Sequence, residues 1–91
     1  MFKDLIEYIA KSLVDQPNEV KIHEVEGERV TVLELSVAEE DLGKVIGKHG
    51  RTAKAMRSVL LAAGIKSNKK TMLEIIERDK YTSAEVLNSS E

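Results

Sequence analysis

The stretch Val45-Ile46-Gly47-Lys48-His49-Gly50-Arg51 places two glycines three positions apart, with a lysine and a histidine between them. Glycine has no Cβ, so its backbone N–H can come close to a ligand and positive φ angles cost little. Backbone amides at the start of a helix favour anions. The stretch therefore predicts a turn that clamps a phosphate. The cations that surround this turn are Lys44, Lys48, Arg51 and Lys54.

Charge is distributed unevenly along the 91 residues. The formal net charge is −2, but the segment 42–73 contains eight Lys or Arg and no acidic residue. Segment 1–41 carries four basic and eleven acidic residues. A chain with this polarity can attract a polyanion to one side. The alternative, that 42–73 contains only a solvated basic helix face, stays open at this point.

Length and composition exclude several classes of function. The chain suffices for one small domain, and it contains no Cys for a disulfide or a thiolate metal site. The start of the chain is charged, and no apolar run reaches membrane-spanning length. The longer Walker spacing is absent, and 42–73 offers no acid to hold Mg²⁺ or to act as a base. We expect a soluble cytoplasmic protein that is not an enzyme and has no cofactor, bound metal, small-molecule substrate or membrane partner.

The first half of the chain predicts one helix and a hairpin. Apolar residues in 2–14 recur at helical spacing, and Pro17 ends the pattern. Residues 20–25 and 30–37 are predicted strands that turn around Gly27. The period of two assigns one face of the second strand to the core. The residues on this face are Leu33, Leu35 and Val37.

The second half predicts two helices and a last strand. A short helix over 38–46 is followed by the glycine turn at 47–50 and by a helix over 51–63, which Gly64 is predicted to cap. A polar turn over 66–70 leads to a strand over 71–77 with Leu73 and Ile75 inward, and 79–91 is a polar tail. The expected fold is α+β, with a three-stranded sheet and three helices packed on one face. The predicted buried stripe of the last helix is Met56, Val59, Leu60 and Ala63.

The run 41–57, Asp-Leu-Gly-Lys-Val-Ile-Gly-Lys-His-Gly-Arg-Thr-Ala-Lys-Ala-Met-Arg, resembles the KH domain. With the order α-β-β-α-α-β, the chain is similar to the bacterial type II form over residues 1–78. KH domains clamp the backbone of about four nucleotides with a Gly-x-x-Gly loop. The resemblance implies single-stranded RNA binding, with the loop at the sugar-phosphate backbone and Val45 and Ile46 as an apolar floor for bases. The implied RNA-binding residues are Lys44, Val45, Ile46, Gly47, Lys48, His49, Gly50, Arg51 and Lys54.

The resemblance also implies protein partners. The helix after the loop serves in this family for self-association and for pairing with a larger KH-containing protein. Leu61 falls outside the predicted buried stripe, so Arg57, Ser58 and Leu61 are the expected partner surface. The resemblance further implies a role in RNA metabolism and post-transcriptional regulation and, through the partner, in cell elongation and division. An interaction adaptor with a vestigial loop remains the alternative function, and His49 as a solvated loop residue remains the alternative for that side chain.

Overall fold

The computed structural model describes residues 2–76, which form three helices and one three-stranded sheet. The order confirms the predicted α-β-β-α-α-β arrangement. Single 3-10 turns precede β1, α2 and α3. The predicted end of the last strand at Glu77 and the polar tail 79–91 lie outside the described residues. The elements are α1 (Phe2–Leu13), β1 (Lys21–Glu26), β2 (Val30–Ser36), α2 (Leu42–Ile46), α3 (Arg51–Ser67) and β3 (Lys70–Ile76).

The sheet is mixed, with β2 between the two other strands. β1 pairs antiparallel with β2, and the turn closes where the Gly27 N–H donates to the Val30 carbonyl at 2.8 Å. β3 returns parallel to β2, with Leu33 beside Leu73. A parallel return needs a long crossover, which α2, the glycine loop and α3 supply. This crossover holds the glycine loop at one end of α3 and the start of β3 at the other.

The core lies between one sheet face and the helices. Leu33, Leu35 and Val37 are buried, as the two-residue period predicts. Ile6 of α1 and Leu60 of α3 are fully buried against them. Burial of such side chains contributes about 1.5–3 kcal/mol each, which makes this layer the main source of folding stability.

The course of α3 differs from the prediction in two ways. The helix does not end at Gly64 but continues to Ser67, and it is capped by Asn68 in the left-handed conformation. Gly64 is buried inside the helix, and a Cβ there would lie only 2.6 Å from the Lys69 carbonyl oxygen, which favours glycine at this position. Val59 is 47% exposed rather than buried. The residues of α3 that are buried are Ala53, Met56, Leu60 and Gly64, and Ala63 is only half-buried.

Candidate nucleic-acid interface

The start of α2 is anchored by a buried carboxylate. Asp41 is 1% exposed and accepts hydrogen bonds from the backbone N–H of Asp15 at 3.2 Å and of Gln16 at 2.9 Å. The Lys44 ammonium lies 3.3 Å from Asp41 and 3.2 Å from Asp15. These contacts tie the segment after α1 to the helix that leads into the glycine loop. Sequence reasoning missed Asp41 because its partners lie about 25 residues away in the chain.

The same contacts set the charge states. Burial raises the pKa of Asp41, but the N–H donors of Asp15 and Gln16 and the ammonium of Lys44 outweigh it and leave this pKa below its ordinary value. Hydrogen bonds to Asp15 and Asp41 raise the pKa of Lys44. Both groups are therefore held in their charged forms. A predicted RNA-binding cation, Lys44, is thus already paired with two carboxylates of the protein.

The apolar pair before the loop is divided between core and surface. Val45 is fully buried and belongs to the core cluster, whereas Ile46 is half-buried. The side chain of Val45 therefore offers no floor to a base, which corrects the prediction made from sequence. The physical reason is that α2 has only one turn with which to hold the loop against the sheet, and Val45 is its buried residue. Ile46 keeps part of its surface exposed.

Gly47 is required by the protein's own backbone. Its φ of 80° and ψ of 167° fall in a region that is essentially restricted to glycine. Its N–H donates to the Gly43 carbonyl at 2.8 Å and closes α2. A Cβ at this position would lie 2.8 Å from the Thr52 backbone nitrogen and closer still to the Thr52 side chain. The first glycine therefore allows α2 and α3 to meet.

The second glycine, Gly50, differs from Gly47 in its backbone conformation and in the space around it. His49 (φ 58°) and Gly50 (φ 73°) are both left-handed, and the Gly50 N–H donates to the Gly47 carbonyl at 3.0 Å. A Cβ on Gly50 would meet nothing within 4 Å. The space above Gly50 is thus open to solvent. Left-handed Gly50 followed by right-handed Arg51 is the kind of backbone sequence that aims successive N–H groups into an anion-binding concavity.

The cations on the α3 side of the loop are accessible. Within residues 2–76, no side chain caps the first turn of α3, so its first N–H groups have no side-chain acceptor there. The side chains of Lys48, His49, Arg51 and Lys54 are exposed, and within residues 2–76 none of them forms an ion pair. Arg51 and Lys54 lie three residues apart on one helix and share a face. The structure therefore brings four of the predicted residues together around one uncapped helix start.

The predicted partner residues on α3 differ in their contacts and exposure. The Arg57 Nε donates to the Leu73 carbonyl at 3.2 Å, which holds the guanidinium over β3. The Ser58 hydroxyl donates to the Lys54 carbonyl of its own helix at 3.0 Å. Leu61 is 57% exposed, and so is Ile65, at 74%. Sequence reasoning missed Ile65, although its spacing of four residues from Leu61 places the two on one face.

Comparisons with known proteins identify the family of this chain. The sequence model of the KhpA/KhpB KH domain matches residues 3–75. This chain belongs to the KhpA/KhpB family of KH domains. The RNA-binding protein KhpA of Clostridium perfringens is 61% identical over 74 residues, which cover 81% of this chain and 99% of that protein. The RNA-binding protein KhpA of Borreliella burgdorferi is 50% identical over 74 residues, covering 81% and 90%.

A third relative shows a similar likeness. The RNA-binding protein KhpA of Aquifex aeolicus is 51% identical over 75 residues, covering 82% of this chain and 95% of that protein. No solved structure matches the chain at a significant level. Membership of this KhpA/KhpB family confirms the prediction of a KH domain and of a protein that is not an enzyme. In the described part of the chain, no group of three His, Cys, Asp or Glu is placed to hold a metal ion, and no helix is long and apolar enough to cross a membrane.

Proposed function

We propose that this chain binds single-stranded RNA and that the loop 47–50 clamps the sugar-phosphate backbone. The observation that carries the proposal is the open space over left-handed Gly50 at the uncapped start of α3. A phosphate can approach the backbone N–H groups there without meeting a Cβ. The exposed side chains of Lys48, Arg51 and Lys54 supply the neutralising charge. The KH domains named as RNA-binding proteins among the relatives support the same function.

The residues around the loop divide into two roles under this proposal. Lys48, His49, Gly50, Arg51 and Lys54 contact RNA, and Ile46 provides apolar contact for a base. The remaining members of the predicted set hold the loop in place. These are Lys44, Val45 and Gly47.

Binding by this surface depends on charge. None of the three aromatic residues of the chain, Phe2, Tyr8 and Tyr81, belongs to the loop or to the helices that flank it, so we expect little contribution from base stacking on aromatic rings. With about three phosphate contacts, a single-strand factor of about −0.7 per contact gives a log–log salt slope near −2. We expect weak binding by one domain, on the order of micromolar or weaker, and steep loss of binding with salt.

The proposal is tested by reversing charge in the loop. Lys48→Glu combined with His49→Glu puts two carboxylates where phosphates would sit, and we expect RNA binding to be lost. Because both side chains are exposed, the variant should keep its fold. Fluorescence anisotropy with a labelled oligouridine measures the first effect, and circular dichroism with urea denaturation measures the second.

A matched control changes charge elsewhere. Lys3→Glu combined with Lys21→Glu alters the net charge by at least as much, on exposed residues of α1 and β1. This control should bind RNA with nearly unchanged affinity. Equal loss of binding in both variants would mean that net charge, rather than the loop, governs the interaction. Unchanged binding by the loop variant would refute the clamp.

A second candidate function is association with another KH-containing chain through α3. The exposed pair Leu61 and Ile65 favours it, because two large apolar side chains on one turn are a costly surface to leave in water. Self-association or pairing with a larger KH protein would then link RNA binding in the cytoplasm to post-transcriptional regulation and to cell elongation and division. Leu61→Glu should convert any oligomer to monomer in sedimentation experiments, whereas a monomeric wild-type chain at high concentration argues against self-association.

A further inference from the structure

A depression of about 260 Å³ lies at the opposite end of α3 from the glycine loop. Ser67, the last residue of α3, lines it, and so do residues at the starts of β2 and β3. The seventeen residues of α3 span about 25 Å at about 1.5 Å per residue, so the depression is a helix length away from Gly50. We call it the threonine pocket, after Thr31 and Thr71 among the residues that line it.

These two threonines occupy core positions. Thr31 and Thr71 pair directly across β2 and β3, and each is 8% exposed. Thr31 lies two residues before Leu33 and therefore on the same inner face of the sheet. Valine would fill nearly the same volume at either position without a polar atom. The hydroxyl groups, rather than the shape of the two side chains, are thus what needs a physical explanation.

Neither threonine hydroxyl forms a hydrogen bond within residues 2–76. Buried polar groups in proteins are nearly always hydrogen-bonded. In the same part of the chain, no side-chain oxygen or nitrogen is both fully enclosed and unpaired, so both hydroxyl oxygens must be open to the pocket that they line. They are therefore available to a molecule that enters it.

The charges around the threonine pocket favour a cation. Glu26 pairs with Thr31 in the sheet, and its carboxylate accepts a hydrogen bond from the Lys69 ammonium at 2.7 Å. Glu24 also lines the pocket and has no ion pair in the described part of the chain. The C-terminal end of α3 adds partial negative charge. One carboxylate is thus left to balance a positive ligand, and an anion would be repelled.

The size and the remaining walls of the pocket suit a short alkyl chain. A volume of about 260 Å³ corresponds to roughly nine water molecules at about 30 Å³ each. Phe2 is half-buried and lines the pocket together with Leu33, which gives it apolar surface. An ammonium group has three N–H donors. These match the Glu24 carboxylate and the two threonine hydroxyls as acceptors.

We propose that the threonine pocket binds a small primary alkylamine. The Glu24 carboxylate is the counter-ion of its ammonium group, the hydroxyls of Thr31 and Thr71 accept its N–H groups, and its methylene groups contact Phe2. The proposal concerns binding alone and includes no chemical step. Because the pocket lies at the other end of α3 from the loop 47–50, this site does not depend on the proposed RNA clamp.

The experiment uses 1,4-diaminobutane as the probe. It is titrated into the full, RNA-free chain at constant ionic strength, and the amides are followed by NMR. We expect saturable shifts at Glu24, Thr31 and Thr71, with a dissociation constant on the order of 1 mM for a ligand of so few atoms. The amides of 47–50 should not move. The melting temperature should rise with the diamine, because binding stabilises the folded chain.

Two other probes separate charge from shape. Butane-1,4-diol has nearly the same shape as the diamine but no charge, and sodium butyrate carries the opposite charge. Both should bind more weakly than the diamine by about tenfold or more. Equal affinity for the diamine and the diol overturns the proposal, because the Glu24 carboxylate would then recognise nothing. Absence of saturable shifts with the diamine also overturns it and leaves water as the occupant of the pocket.

Three variants locate the site. Thr31→Val combined with Thr71→Val keeps the volume and removes both hydroxyls, and it should weaken diamine binding by about tenfold while circular dichroism shows an unchanged fold. Glu24→Gln should weaken binding by a similar factor. Glu28→Gln is the matched control, since it makes the same charge change on an exposed residue between β1 and β2 that does not line the pocket. It should bind within about twofold of the wild type.

The variants can each contradict the proposal. Equal losses in Glu24→Gln and Glu28→Gln would mean that net charge alone attracts the diamine. Unchanged affinity in the threonine variant would show that the hydroxyls do not contact it. Because Glu24 is exposed, its substitution leaves the core intact and decides the question even if the threonine variant does not fold.

Discussion

The two sides of the glycine loop contain similar residues and do different things. On the α2 side, Lys44 is paired with Asp15 and Asp41, and Val45 is buried in the core. On the α3 side, Arg51 and Lys54 are exposed and have no ion pair within residues 2–76. The residues on the α2 side therefore hold the loop in place, and those on the α3 side expose positive charge to solvent.

This division has a physical cause. The helix α2 has only five residues, too few to be stable without tertiary contacts. Its position depends on the buried carboxylate at its start and on the buried valine near its end. The seventeen-residue helix α3 is fixed by its own buried stripe, so its first turn can remain uncapped. A short element therefore uses its polar residues for anchoring, whereas a long one can leave them for a ligand.

The two glycines give the largest expected difference. Gly47→Ala should lower the free energy of unfolding by about 3 kcal/mol, since its backbone region excludes other residues and a Cβ would overlap Thr52. Gly50→Ala should cost only about 1 kcal/mol, because the left-handed region is strained for alanine but the space is open. Urea denaturation measures both values. Similar losses of stability in the two variants would remove the distinction between a structural and a ligand-facing glycine.

The effects of mutations on RNA binding should also differ between the two sides of the loop. Arg51→Ala combined with Lys54→Ala should flatten the log–log salt slope by about 1.4 and leave stability nearly unchanged, because two phosphate contacts are lost. Lys44→Ala should lower the urea midpoint, because two carboxylates lose their partner, and should leave the salt slope as it is. A flatter slope in Lys44→Ala would show that this ammonium contacts RNA directly.

The smallest expected effect is on the pH dependence of stability. Asp41 has a lowered pKa in the folded protein, so its stabilising contribution is complete above its ordinary pKa of 3.8 and is lost as the pH falls through the lower folded value. Asp41→Asn should therefore reduce stability by a constant amount at neutral pH, and the gap to the wild type should close in acid. Thermal unfolding between pH 2 and 7 checks this. A gap that does not narrow at all as the pH falls would mean that the carboxylate charge is not what anchors α2.

Much of the fold could be predicted because it depends on local pattern. The two-residue period of Leu33, Leu35 and Val37 identified the inner face of β2, and the structure confirms it. The order of elements and the glycine loop were likewise visible. The end of α3 could not be predicted correctly, because Gly64 resembles a helix cap in the sequence. Only the return of β3 past the helix explains why a residue without a Cβ is needed there.

By itself the amino-acid sequence determined the order of elements, the inner face of the central strand and the position of a cation-rich glycine turn, since these follow from periodicity and from residues adjacent in the chain. Only the tertiary structure decided which residues in and beside that turn stabilise the fold and which remain exposed to a ligand. Lys44 and Arg51 are both cations beside the loop, and their difference depends on Asp15 and on the Asp41 carboxylate. Burial and ion pairing join residues distant in sequence, and they exist only once the chain has folded.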